Sequence, residues 1–163
     1  DHGAHFAALE NIRANSLEAR MTSICADLRK VNQLLPAGSF SCCISNPPYF
    51  SGGPASAQNP TARREDCCTP EDLFRAAAWA LQFGGDFYVV HKPEKLAQLC
   101  ACATNAGLEP KRLRLIRHRT DGPVILILLQ CRKGGKPGLV WEENCLQDTD
   151  GIPTAYYRHI YHL

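Results

Sequence analysis

Net charge is small in this chain. Its 18 Lys and Arg against 16 Asp and Glu leave a net +2, too little by itself to demand a polyanionic partner. The distribution of charge therefore matters more than its sum. No hydrophobic run approaches membrane-spanning length, and the apolar stretch at residues 124–129 is only strand-sized. The opening residues show no basic segment followed by an apolar one, so they do not read as a signal peptide. Cysteine is plentiful at nine, yet the patterns that give it special chemistry are missing. The number is odd, Cys42-Cys43 and Cys67-Cys68 are adjacent, and no CxxC pair supplies zinc spacing. Thiols serving as small buried hydrophobes in a reducing cytoplasmic setting are expected instead, with no metal site and no membrane partner. No glycine pair forms G-x-G behind a leading strand, so the usual sign of a nucleotide-cofactor cradle is absent. With 45% hydrophobic and 21% charged residues, the composition is that of an ordinary globular domain.

What is present centres on Ser41-Cys42-Cys43-Ile44-Ser45-Asn46-Pro47-Pro48-Tyr49-Phe50. A run readable as a buried strand stops at Asn46, and two prolines follow. Proline fixes its own φ, supplies no N–H, and pushes the preceding residue out of the helical region. Rigid, extended backbone at a strand's carboxyl end is where open α/β sheets place ligands. An exocyclic amino group is a poor nucleophile because its lone pair is delocalised. Two fixed acceptors can hold both of its N–H groups while the lone pair faces an electrophile. The Asn46 side-chain carbonyl and the Pro47 main-chain carbonyl suit that task, and Tyr49 offers a face for stacking. Positioning of this kind supplies rate without a strong base.

Taken in order, the chain reads as strands alternating with helices. Residues 1–15 suggest a helix with Phe6, Leu9 and Ile12 on one face. Residues 21–26 read as a strand ending at Asp27, which either meets a ligand or caps a helix over 28–35. The polar stretch 51–68 is a binding loop or lid, whose Arg63 and Arg64 either pair with phosphate or are simply solvated. Thr69-Pro70-Glu71-Asp72 starts a helix running to about Phe83 and ended by Gly84-Gly85. Residues 86–90 form a buried strand, followed by His91-Lys92-Pro93 and a helix through Asn105. Residues 111–119 form a strand carrying Arg112 and Arg114, either a charged sheet edge or an RNA-facing strip. Residues 124–132 are the central strand. The result is an α/β fold with a mostly parallel sheet and one antiparallel strand at its end.

Asn46-Pro47-Pro48-Tyr49 resembles the (D/N)PPY motif of S-adenosylmethionine-dependent amino-methyltransferases. The later segments narrow the likeness: Ser51-Gly52-Gly53, Ala62-Arg63-Arg64-Glu65, Gly84-Gly85-Asp86-Phe87-Tyr88, His91-Lys92-Pro93-Glu94-Lys95-Leu96 and Lys133-Gly134-Gly135-Lys136. With these, most of the chain resembles the bacterial tRNA(Val) adenine-N6-methyltransferases. The resemblance implies a Rossmann-like class I sheet, S-adenosyl-L-methionine as cofactor and tRNA as partner. It implies a catalytic set of Asn46, Pro47, Pro48 and Tyr49. Cofactor contacts would come from Asp27, Leu28 and Asn46, and substrate contacts from Phe50, Arg63, Arg64, His91 and Lys92. His91 is expected to be structural rather than a base. The chain lacks the family's Gly-rich loop and the acidic residue after its second strand. It is therefore expected to be one truncated catalytic domain, without the first two strands and a weak cofactor binder alone. A glutamine-N5 protein methyltransferase and a noncatalytic nucleic-acid-binding fragment remain as alternatives.

Overall fold

A computed structural model describes residues 1–47 and 68–163. Helix α1 (His2–Ala14) is capped by the Asp1 carboxylate, which accepts from the Ala4 N–H at 3.1 Å. Residues 21–27, expected as a strand up to 26, form no regular element. No described strand lies beside them, and a lone strand leaves its backbone donors and acceptors without partners. The expected helix over 28–35 is shorter and divided: a 3-10 turn (Leu28–Lys30) leads into α2 (Val31–Leu34).

One sheet follows. Strand β1 (Phe40–Ser45) pairs in parallel with β2 (Leu81–His91). Strand β4 (Val124–Lys133) runs antiparallel to β2 and to β3 (Leu108–Arg119). Beyond β3 lies β5 (Val140–Gln147), parallel to it, so the order is β1-β2-β4-β3-β5. The first four carry the class I methyltransferase pattern, with the antiparallel strand inserted between its neighbours. As expected, β4 is central. The arginine-bearing β3 is not an edge, because β5 covers it.

Helix α3 (Pro70–Ala80) begins in a capping box: the Thr69 side chain accepts from the Asp72 N–H, and the Asp72 carboxylate accepts from the Thr69 N–H. It ends three residues earlier than the sequence suggests, and β2 starts at once. Gly84-Gly85 lies inside the strand rather than stopping the helix. There the register jumps, Phe40 facing Leu81 while Cys42 faces Asp86. A Cβ on Gly85 would stand 3.0 Å from the Gln82 and Ser41 carbonyl oxygens, so only glycine fits where β1 passes. The Lys133 ammonium closes the far end of α3 by donating to the Ala78 and Leu81 carbonyls at 2.6 and 2.7 Å.

Helices α3 and α4 (Leu96–Asn105) cover one face of the sheet. The core between them holds Phe74, Phe87, Leu99, Leu108, Ile127 and Leu129, all fully buried. The Phe74 and Phe87 rings meet edge to face at 5.1 Å. On the other face α5 (Ala155–Tyr161) packs on β5, and Tyr156 lies under the Arg114 guanidinium at 5.6 Å. Cys102 and Cys131 are buried, Cys42 is exposed, and five other described cysteines are half-buried and free. The small-hydrophobe expectation therefore holds fully only for the first two. No described helix is long and apolar enough to cross a membrane. Phe74→Ala removes a ring with no exposed surface, and urea unfolding should show a loss of about 3–5 kcal/mol.

Candidate active site

The site is built at the carboxyl ends of β1 and β2. Ser45 pairs with Val89, so the next residues, Asn46 and Pro47, run level with Val90 and His91. Side chains alternate across a sheet. Cys43 packs against the helix-covered core, as do its partner Phe87 and then Val89. Pro47 and His91 continue that face. Ile44 and Asn46 fall on the other one, where both are exposed. Asn46, just past the end of β1, therefore does not point into the core.

A cavity of about 530 Å3 opens beside these strand ends, within the range of small-molecule sites. Asp27 and Leu28 form one wall, Pro47 and His91 another, and Thr69 and Pro70 at the start of α3 a third. Four of the sequence-derived candidates, Asp27, Leu28, Pro47 and His91, thus share one cavity although they span 65 positions of chain. Asn46 flanks it without lining it, and half-buried Lys92 lies just past His91. Pro48, Tyr49, Phe50, Arg63 and Arg64 lie outside the described residues.

Asp27 takes the capping role that the sequence allowed it. Its carboxylate caps the 3-10 turn by accepting from the Arg29 N–H at 3.0 Å, and it lines the cavity. The Arg29 guanidinium donates to both oxygens, Nε at 2.9 Å and Nη2 at 2.7 Å. Those side-chain bonds, then the backbone bond, hold the Asp27 carboxyl down at about 2. Arg29 carries no motif and was missed in the sequence, as was the placement of Thr69-Pro70 at the cavity. His91 is 1% exposed, the one buried polar side chain among the described residues. Its Nδ1 accepts the Lys92 N–H at 2.8 Å.

The arginines of β3 are paired to different degrees, Arg112 staying exposed at 4.0 Å from Glu142. Arg114 donates to Glu142 at 2.9 Å, Arg117 to Glu143 at 3.2 Å, and Arg119 lies 3.5 Å from Asp121. Glu142 and Glu143 come from β5, so cross-strand pairing offsets part of the charge. The described residues fit the adenosyl portion of a nucleoside cofactor: an ionised acceptor at Asp27 beside apolar Leu28, Leu73 and Leu99, in a cavity of suitable size.

No family model matches this chain. The chain is 33% identical to a tRNA1(Val) (adenine(37)-N6)-methyltransferase of Tolumonas auensis over 154 residues, 92% of this chain and 62% of that protein. It is 29% identical to the protein of that name from Bacteroides fragilis, over 71% of this chain and 50% of the relative. The chain thus spans about half the length of the curated relatives it matches. Among solved structures it superposes on a predicted O-methyltransferase of Agrobacterium tumefaciens with a TM-score of 0.75, 20% identity, and coverage of 96% of this chain and 69% of that one. That likeness establishes the fold.

Because the Asp27 carboxyl is depressed when folded, its contribution is present above the ordinary carboxyl range and lost as pH falls through about 2. In an NMR titration of the carboxyl carbon, the Asp27 midpoint should lie near 2 and rise toward the ordinary value, about 4, in Arg29→Ala. An unchanged midpoint would show that Arg29 does not hold it.

Proposed function

We propose that this chain, similar to the tRNA1(Val) (adenine(37)-N6)-methyltransferases, carries the amine-binding part of an enzyme methylating N6 of an adenine in tRNA with S-adenosyl-L-methionine. One observation carries the reading: Asn46-Pro47 ends a class I sheet strand beside a cavity whose opposite wall is an ionised aspartate.

Asn46 Oδ1 and the Pro47 carbonyl accept the two N–H groups of the adenine amine and turn its lone pair toward the donor. The same two oxygens stabilise the positive charge that develops on nitrogen as the new bond forms. Pro48 keeps the Pro47 carbonyl in extended geometry. Tyr49 and Phe50 stack on the base, and Arg63, Arg64 and Lys92 meet neighbouring phosphates. Asp27 and Leu28 receive the cofactor's adenine. The bound cofactor supplies an electrophilic methyl group. No strong base is required, because the nitrogen, acidic once it carries positive charge, passes its proton to water. We place the reaction in the cytoplasm, where tRNA is modified.

The test is a methylation assay of the intact enzyme with unmodified tRNA and with a glutamine-containing release-factor fragment side by side. The tRNA should be methylated at adenine N6, and Asn46→Ala should lower kcat by about 10²–10³. Methylated glutamine with untouched tRNA overturns the substrate. Salt-dependent tRNA binding that persists in Asn46→Ala, with no methyl transfer, overturns the enzyme reading.

A further inference from the structure

The reading above leaves unexplained why a buried imidazole stands at the end of β2. A polar ring inside a fold is costly unless its polar atoms are bonded. One bond it makes is to the backbone where β2 leaves the sheet: the Lys92 N–H donates to His91 Nδ1 at 2.8 Å. A nitrogen that accepts carries no proton, so the neutral ring holds its proton on Nε2. Lys92 is in turn the N-cap of the 3-10 turn Pro93–Lys95, which has no side-chain cap. The imidazole therefore fixes the direction of the chain at the edge of the cavity. The register sets His91 level with Pro47 on the adjacent strand, at a spacing of about 4.8 Å. Both residues line the same cavity.

We propose that His91 is a positioning residue for the amine cradle: its neutral ring, pinned through Nδ1 to the Lys92 N–H, supports the wall that sets the Pro47 carbonyl. The proposal rests on the reading of Asn46-Pro47 as an amine site. Its leverage comes from geometry, because a displacement of about 1 Å in a reacting group costs on the order of 10² in rate.

Two variants separate the atoms. In His91→Asn the Oδ1 sits as many bonds from the backbone as Nδ1 did and can accept the same N–H. In His91→Phe the ring volume is kept and the acceptor is lost. Assayed on tRNA, His91→Asn should keep kcat within about threefold. His91→Phe should lose about 10² in kcat with the cofactor KM unchanged. A fully active Phe variant, or an Asn variant that falls as far as Phe, overturns the proposal.

A second measurement does not depend on turnover. Nitrogen NMR of the purified protein at neutral pH should show His91 unprotonated at Nδ1 and protonated at Nε2. The Lys92 amide should exchange slowly in wild type and Asn, and fast in Phe. An imidazolium, or a proton on Nδ1, overturns the proposal even where tRNA is methylated. An enzyme idle on tRNA overturns the substrate reading instead, and the spectra still decide the role of His91.

Discussion

Proline just past the end of a strand is the constraint from which the rest follows. Strand β1 cannot extend its ladder through Pro47, which has no N–H to give, so the chain must leave the sheet beside β2. Strand β2 leaves two residues later in register, at His91-Lys92-Pro93. Two neighbouring parallel strands ending in proline-stiffened segments make a fixed rim. The helices on the buried face close that rim from below through Pro70, Leu73 and Leu99. A cavity with such walls needs little rearrangement to present oxygens to a ligand, which is the setting where positioning contributes most to a rate.

Much of this was legible in the chain itself. The order of strands and helices, the antiparallel strand and the central place of residues 124–132 came from hydrophobic runs and turn residues. The start of α3 came from Thr69-Pro70 and its acids. Three features were not legible, each for a physical reason. Strand β5 reads as Val140-Trp141-Glu142-Glu143-Asn144, without a clean alternation. Its register depends on arginines about 30 positions earlier on β3, and local pattern cannot show such pairing. The end of α3 was misread because Gly84-Gly85 resembles a helix stop. In fact the glycines let β2 bulge past β1. Residues 21–26 have strand composition, but strand formation needs a partner, and composition does not supply one.

The candidate site was legible as residues rather than as a place. Asp27, Pro47 and His91 each stood out for a local reason: the end of an apolar run, a proline pair, a polar residue closing a buried strand. That they surround one cavity is a property of the parallel β1–β2 register. Arg29 shows the opposite case, being ordinary in sequence and important only through its two-pronged grip on Asp27. The β3 arginines carry a related lesson. Their charge suggested a nucleic-acid surface, and the fold answers it in part with Glu142 and Glu143.

The most direct test of the central claim is a crystal structure of the protein soaked with adenosine monophosphate and S-adenosylhomocysteine. The account requires the nucleotide's exocyclic amine to lie within hydrogen-bond distance, about 3 Å, of both Asn46 Oδ1 and the Pro47 carbonyl oxygen. A nucleotide bound with its amine elsewhere, or a Pro47 carbonyl already bonded within the fold, would contradict it.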